Sequence, residues 1–374
     1  MEDKLTNLLI GLIFVIVLIL GGFYVYKIVL DKPRPVVVES NENKVIEPPK
    51  SVVAKEESTI SSDIKIPLVE SEETSQTPII SDNQGKMVYY NNRFYYNQLD
   101  KYAKVIYDAV FNKIEHLKQK NYTIKLEYDF SELLKNGDNS KINTCYNDAL
   151  NALNLDVSNL FYIDFSKMSL SIETTTTILG TKHELKISPR DDKNFLHEGF
   201  SSEEEVNEAI SRVLSVREQV INRAVSDDYN NLVIIHDWFI EYMQYDSVSI
   251  NKNSIYGALW ERQAVCEGYA RAFKYLLDEI GIENVLIIGT ATNSSGETED
   301  HMWNYVKYND QWYAIDCTWD DPVVINGMGT ISYAAKHKYF MVGSNKLFES
   351  HVERNEISPG GKSFTLPTIS KEDY

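Results

Sequence analysis

The sequence is poor in cysteine and has no excess of positive charge. Only 3 cysteines occur in 374 residues, too few for the disulfide framework that holds small secreted domains together. Because this number is odd, at least one of Cys145, Cys266 and Cys317 is a free thiol. Basic residues number 37 against 55 acidic ones, which gives a net charge of −18. This charge repels a phosphate backbone, so we expect no nucleic-acid partner.

Proline is scarce outside one segment, residues 31–86, which contains six of the 10 prolines. The segment has no aromatic residue and is rich in serine, threonine and glutamate. Such a composition cannot bury a core, so it predicts a disordered and extended linker. Over the whole chain 43% of residues are hydrophobic, which excludes general disorder.

One long uncharged run precedes this linker. Leu8–Tyr26 comprises 19 residues without a charge, close to the length of helix that crosses a bilayer. The run predicts a transmembrane anchor within residues 1–30. A cleaved signal peptide is the alternative, although bulky residues follow Gly22 where a cleavage site needs small ones. The positive charges after the run favour a cytoplasmic domain. The order of anchor, spacer and domain is instead typical of surface display, and we expect the folded part outside the cytoplasm.

Folding signals begin at residue 87, and we predict an α+β fold in two parts. Residues 87–225 form an accessory α+β region, and residues 226–374 form a second domain. The accessory region is predicted to contain helices at Leu99–Leu117 and from Ser201 or Ser202 to Ala224, and strands at Tyr122–Phe130, Leu160–Phe165, Met168–Ile178 and Thr181–Ile187. In the second domain, Leu232–Tyr245 predicts a helix, Val285–Ala291 and Tyr339–Val342 predict strands, and His337 and His351 are expected to be solvated.

The stretch after Val265 predicts a helix that begins at Cys266. Apolar residues recur at helical spacing through Ile280, and Gly281 stands where a glycine ends a helix. The first-turn N–H groups and the helix dipole would favour a thiolate at Cys266. A buried, inert cysteine is the alternative. Gly268 would let the helix start approach a neighbouring backbone closely.

A hairpin is predicted further along the chain. If Asn309-Asp310 forms a two-residue turn, His301 faces Thr318 and Trp303 faces Asp316. Side chains alternate along a strand, so Asp316 becomes a diagonal neighbour of His301 on the same face of the sheet. A carboxylate there could hold the tautomer of the imidazole, as the third member of a nucleophile–base–orienter triad does. Cys317 falls on the opposite face.

The stretches VCEGYA, EDHMWNYV and WYAIDCTWDDP resemble the three sequence blocks of the transglutaminase-like superfamily, which has a papain-like core. The resemblance covers residues 228–322. It implies a helix-borne cysteine packed on an antiparallel sheet, and acyl transfer with Cys266 as nucleophile, His301 as base and Asp316 as orienter.

The resemblance also implies an oxyanion hole and a substrate cleft. The backbone N–H of Cys266 would supply one oxyanion donor, and Trp260, Gln263 and Trp238 remain open as the second. Trp303 and Trp319 are candidates to line the acyl site, with core packing as the alternative for each.

Together these features predict a membrane-tethered cysteine hydrolase or acyltransferase that acts on peptide or amide bonds through a thioester. Its expected substrate is a protein or peptide, cell-wall peptide included. Two other interpretations compete: a catalytically silent module that binds peptide or cell-wall ligands, and a metal site built from the same residue types. The sequence has no CxxC or HxxxH pair, so we predict no metal and no cofactor.

Overall fold

Helices and antiparallel sheets alternate along the chain, which confirms the predicted mixture of helix and sheet. The computed structural model describes residues 93–135, 139–178, 180–190, 193–322, 332–358 and 360–374. The predicted anchor Leu8–Tyr26 and the linker at 31–86 lie outside the described residues. Within the described ranges, no helix has both the length and the apolar character needed to cross a bilayer.

The first part of the described chain consists of five α-helices, two 3₁₀ turns (Ile114–His116 and Phe165–Lys167) and one small sheet. Its elements in order are α1 (Phe94–Asn97), α2 (Lys101–Phe111), β1 (Ile124–Leu126), α3 (Ser131–Leu134), α4 (Ser140–Asp156), β2 (Met168–Thr177), β3 (Gly180–Pro189) and α5 (Glu203–Ile221). The sheet is antiparallel with the order β1-β3-β2. Ser202 caps α5, because its hydroxyl accepts from the N–H of Glu205 as the sequence predicts.

The second part contains the four-stranded sheet that carries the candidate site. Its elements are α6 (Asp228–Tyr242), β4 (Gln244–Tyr245), a π-helical turn (Gly257–Glu261), β5 (Gln263–Ala264), α7 (Cys266–Glu279), β6 (Asn284–Thr292), β7 (Thr298–Tyr308), β8 (Gln311–Ile315), α8 (Cys317–Asp320), α9 (Tyr333–Lys336), α10 (Ser344–Leu347) and β9 (His351–Glu353). The large sheet has the order β8-β7-β6-β9 and is antiparallel throughout. β4 and β5 form a short parallel pair.

Helix α7 packs its apolar face on β6 and β7. Tyr269, Phe273 and Leu276 on this face are fully buried. Gly281 follows the helix with φ of 79°, as predicted for a glycine that ends a helix. Because α7 lies across the sheet, its first residue is held beside the middle strands.

Two strands predicted from the sequence do not form, and one helix was not predicted. In all three cases the segment is buried and its sequence lacks a regular pattern of apolar residues. Leu160–Phe165 is not a strand and makes one isolated bridge, from Ile163 to Leu196. Tyr339–Val342 is likewise not a strand, since Met341 has φ of 54°. The helix α4 had no clear signal in the sequence, because its apolar residues alternate with asparagines.

The expectation that His337 and His351 are solvated is also wrong. The side chain of His351 is 0% exposed and that of His337 is 8% exposed. Both imidazoles contact carboxylates, Asp316 for His351 and Asp237 for His337. Burial of these rings depends on tertiary contacts that no local pattern encodes.

Candidate functional site

Cys266 is the first residue of α7, as the sequence predicts. The first-turn N–H groups of a helix have no partner within the helix and favour negative charge nearby. Gly268 allows the helix start to sit against the loop before it. A Cβ at this position would collide with the carbonyl oxygen of Lys252, and the same carbonyl accepts from the N–H of Val265 at 3.0 Å.

The three cysteines differ in environment, although all are free. Cys145 and Cys317 are buried, whereas Cys266 is partly exposed. Burial, together with the carboxylate of Asp100, raises the pKa of Cys145 to about 12. Burial and the nearby Asp320 also raise the pKa of Cys317 well above the ordinary thiol value. Cys145 and Cys317 are therefore held as neutral thiols, and Cys266 alone among the three is open to a reacting molecule.

His301 and Asp316 form a buried ion pair. The Nε2 of His301 donates to the Oδ2 of Asp316 at 2.8 Å, and the side chains are each 1% exposed. Burial alone would lower the pKa of His301, but the charge and hydrogen bond of Asp316, with a smaller contribution from Cys266, raise this pKa to about 10. Burial opposes ionisation of Asp316 as well, yet His301 and His351 bring its pKa below the ordinary carboxyl value.

The second ring nitrogen of His301, Nδ1, is not used by the hydrogen bond to Asp316. Nδ1 is buried and makes no hydrogen bond among the described residues. The thiol of Cys266 is close enough to contribute to the raised pKa of His301. The structure therefore brings together Cys266, His301 and Asp316, in the order thiol, imidazole, carboxylate.

The hairpin that carries His301 has the predicted register in its paired part. Tyr308 pairs with Gln311 and Asn304 with Ile315, around an Asn309-Asp310 turn in which both residues have positive φ. The ladder ends at Ile315, however, so the predicted pairs of His301 with Thr318 and of Trp303 with Asp316 do not form. Asp316 instead caps α8, where its Oδ1 accepts from the N–H groups of Thr318 at 3.0 Å and Trp319 at 3.3 Å.

His351 is a member of this cluster that the sequence analysis missed. Its Nε2 lies 3.1 Å from the same Oδ2 of Asp316 that binds His301. Its Nδ1 lies 2.9 Å from the hydroxyl of Ser350. A hydroxyl proton donated to Nδ1 would leave the ring proton on Nε2, directed at Asp316. Both oxygens of Asp316 are thus fully engaged, Oδ2 by two imidazoles and Oδ1 by two backbone N–H groups.

The two tryptophans predicted for the acyl site occupy different positions. Trp303 is 1% exposed and stacks below the His301 ring, with the centroids 6.0 Å apart. It is therefore a packing residue and does not line an open cleft. Trp319 is half-buried on α8. Its ring centroid lies 5.6 Å from that of His301 and 4.7 Å from that of His351.

The three predicted oxyanion candidates make contacts with other residues. Trp238 stacks on Tyr242 at 4.5 Å. Trp260 is 42% exposed beneath the guanidinium of Arg212. Gln263 lies in β5, where it pairs with Gln244 of β4.

A different residue of β4, Tyr245, is electrostatically coupled to the thiol. It pairs with Ala264, two residues before Cys266. Burial, followed by the charges of Cys266, Glu299 and Asp316, raises the pKa of Tyr245 to about 12. Its phenol is therefore a proton donor at neutral pH. The sequence analysis placed Tyr245 at the end of the predicted helix Leu232–Tyr245, whereas the helix ends at Tyr242 and Tyr245 lies in β4.

Comparison with known proteins identifies a domain of a known family in the chain. Residues 217–317 match the family model described as the Transglutaminase-like superfamily, and this range includes Cys266, His301 and Asp316. No curated protein sequence matches the chain. The chain thus carries a transglutaminase-like domain, which confirms the resemblance noted in its sequence.

Three solved structures are similar to parts of the chain. One is described as a TGase, with 12% identity, a TM-score of 0.29 and coverage of 47% of this chain and 50% of that one. A putative cysteine protease from Cytophaga hutchinsonii has 16% identity and a TM-score of 0.25, with 42% of this chain and 66% of that one covered. Legionella pneumophila LapG has 11% identity and a TM-score of 0.22, with 32% and 66% covered. The chain therefore spans half the length of the first of these proteins.

Proposed function

We propose that the protein is a cysteine acyltransferase or hydrolase that cleaves amide bonds through a Cys266–His301–Asp316 triad. One observation carries this proposal: a buried His301–Asp316 ion pair lies beside a partly exposed cysteine at a helix start. A positively charged imidazole and the first-turn N–H groups of α7 both stabilise negative charge on sulfur. The sulfur of Cys266 is the nucleophile, His301 is its acid and base, and Asp316 orients the imidazole of His301.

The proposed reaction has two halves. In the first, the Cys266 sulfur attacks the carbonyl carbon of an amide, and the Nδ1 proton of His301 passes to the departing nitrogen as the C–N bond breaks. This leaves a thioester on Cys266 and a neutral imidazole. In the second, Nδ1 takes a proton from water or an amine as that molecule attacks the thioester, and the C–S bond breaks. Water gives hydrolysis or deamidation, and an amine gives a cross-link.

We further propose that Tyr245 completes the oxyanion hole with the backbone N–H of Cys266. A phenol that stays protonated can donate a hydrogen bond to the oxygen that becomes negative in the tetrahedral intermediate. Tyr245 has this property and is coupled to the thiol. Trp260, Gln263 and Trp238 are the alternatives predicted from the sequence.

The setting of the reaction is also a proposal. The uncharged run Leu8–Tyr26 and the linker at 31–86 would tether the domain to a membrane, with a peptide substrate in the cell envelope. Protease accessibility in intact cells tests the orientation. Loss of the folded part on external digestion is expected, and full protection would place that part in the cytoplasm.

Alkylation of Cys266 tests the triad without a known substrate. The full chain would be treated with iodoacetamide between about pH 5 and pH 9, with Cys266→Ser and His301→Ala as comparison variants. We expect Cys266 to react rapidly already near pH 6, where an ordinary thiol is almost wholly protonated and slow. The fast reaction should disappear in His301→Ala. A slow thiol that is indifferent to His301 would overturn the proposal and favour a binding module with this fold.

The acceptor can then be identified with a glutamine-containing peptide and a fluorescent primary amine. Ammonia release without amine incorporation indicates hydrolysis or deamidation, and incorporation indicates cross-linking. Cys266→Ser controls for uncatalysed release in both assays.

A further inference from the structure

A second buried cluster of histidine and aspartate lies at the other end of α8 from the candidate triad. It consists of His236 and Asp237 on α6, Asp320 at the end of α8, and His337 just after α9. The proposed acyl transfer uses none of these residues. We propose that His236, Asp237 and His337 bind a divalent transition-metal ion of the zinc class.

His236 presents one ring nitrogen to this site. The ring is 0% exposed, and its Nε2 donates to the Oδ2 of Asp320 at 3.1 Å. This hydrogen bond directs Nδ1 toward Asp237, whose Oδ1 lies 3.1 Å away. The contact between Nδ1 and Asp237 is a hydrogen bond, and a metal ion that displaces the Nδ1 proton would be held between the ring and this carboxylate.

His337 presents a second ring nitrogen in the same way. Its Nδ1 donates to the backbone carbonyl of Tyr333 at 2.8 Å, and its side chain is 8% exposed. Nε2 lies 2.7 Å from the Oδ1 of Asp237. The contact is an ion pair, and the buried Nε2 has no well-formed hydrogen bond among the described residues.

Two ring nitrogens, Nδ1 of His236 and Nε2 of His337, thus converge on one carboxylate oxygen, and a single cation could take the place of their protons. The three candidate ligand atoms all lie within 4.8 Å of one another. Bonds of about 2.0–2.2 Å to a single zinc ion would satisfy all three after a small outward shift. Imidazole and carboxylate are ligand types that zinc and its neighbours in the first transition row accept.

The outer contacts also match those of metal-binding histidines. Such histidines usually donate the ring nitrogen that does not bind metal to a carboxylate or a backbone carbonyl, which fixes the tautomer. Asp320 provides this contact for His236, and the carbonyl of Tyr333 provides it for His337. The side chain of Asp237 is 36% exposed, so a solvent molecule can complete the coordination.

The sequence predicts no metal site because its histidines lack the close spacing of known ligand pairs. Here the ligands come from two distant segments, α6 and the residues after α9. An ion would therefore join these segments. Through Asp320, which also accepts from the N–H of Tyr339 at 2.8 Å, it would brace the end of α8.

Calorimetric titration of the full chain with Zn²⁺, after treatment with a chelator, tests the proposal. We expect one ion per chain at this site, with affinity at least tenfold weaker in His337→Ala. Asp320→Asn should weaken binding by roughly 10–100-fold, because it removes an outer contact and no ligand. His116→Ala, which removes an exposed histidine, is the matched control and should bind as the native chain does.

A second measurement separates this site from the cysteine site, which could also bind zinc. Co²⁺ in the proposed site has only nitrogen and oxygen ligands, so its spectrum should lack thiolate charge-transfer bands and be unchanged in Cys266→Ser. Because this readout uses the native fold, it holds even if His337→Ala is unstable. Thiolate bands that disappear in Cys266→Ser, or Zn²⁺ binding that His337→Ala leaves intact, would overturn the proposal, as would absence of binding. Alkylation of Cys266 reports separately on the acyl-transfer proposal.

Discussion

The two ends of the short helix α8 carry similar pairs with different surroundings. At its start, Asp316 accepts a hydrogen bond from the buried His301 at 2.8 Å. At its end, Asp320 accepts from the buried His236 at 3.1 Å. In each pair the aspartate fixes one ring nitrogen and directs the other away from itself.

The two pairs differ in what the second ring nitrogen meets. For His301 it is the side of the ring that is coupled to the thiol of Cys266, and proton transfer to and from a nucleophile becomes possible. For His236 it is the carboxylate of Asp237, and this cluster contains no thiol that could act as a nucleophile. In both pairs the buried aspartate orients the imidazole. The group next to the other ring nitrogen then determines which reaction or ligand the imidazole can serve.

Substitution of the two aspartates by asparagine should separate their roles most clearly. Asp316 accepts four hydrogen bonds, and an amide can accept at only one of its two positions, so either the imidazoles or the N–H groups of α8 lose their acceptor. We expect Asp316→Asn to lower turnover by roughly 10³- to 10⁴-fold. Asp320→Asn should keep turnover within about tenfold and lower the free energy of unfolding by about 1–3 kcal/mol. Equal effects of the two changes on turnover, measured as amide release, would contradict the division of roles.

Removal of the Tyr245 hydroxyl tests a feature of the thiol side alone. Tyr245→Phe should lower kcat by roughly 10²-fold or more, with KM little changed, because an oxyanion donor acts mainly in the transition state. Tyr242→Phe is the matched control, since the hydroxyl of Tyr242 donates to the carbonyl of Leu259 at 2.9 Å. A loss confined to KM in Tyr245→Phe would indicate that the phenol binds substrate and does not stabilise the oxyanion.

The second imidazole on Asp316 allows a smaller test. We expect His351→Ala to lower kcat and the alkylation rate of Cys266 about tenfold, equivalent to about 1.4 kcal/mol, as Asp316 loses one donor. His351→Gln should recover most of this loss, because an amide N–H can donate to the same oxygen. Parallel losses in both variants, accompanied by a lower Tm, would mean that His351 serves packing and does not position Asp316.

These residues also show how far the sequence predicts the site. The His301 hairpin and the Cys266 helix start follow from local signals, the Asn309-Asp310 turn and a helical repeat closed by Gly281. His351 reaches Asp316 across 35 residues of sequence from a strand of 3 residues.

Strand β9 is too short for its alternation of residues to be recognised. It lies in place because Gly289 of β6 leaves room for the backbone of Val352, where a Cβ would collide. Tyr245 is in a similar position, since its strand has 2 residues and is defined by pairing with β5. Contacts of this kind depend on tertiary packing. The sequence therefore predicts Cys266 and His301, and it misses His351 and Tyr245, which lie on short strands.

The pH dependence of stability isolates the His301 side of the comparison. The pKa of His301 is raised to about 10 in the folded chain, against about 6.5 for an ordinary histidine. The stabilisation from its charge is therefore complete below about pH 6.5 and is lost as the pH rises toward about 10. The free energy of unfolding of the native chain, minus that of His301→Ala, should fall over this window by at most about 1.4 kcal/mol per pH unit. Taking the difference cancels the contribution of the His236 cluster, which both proteins share. A difference that is flat with pH would mean that His301 is neutral in the folded chain, and Cys266 would then lack its charged partner.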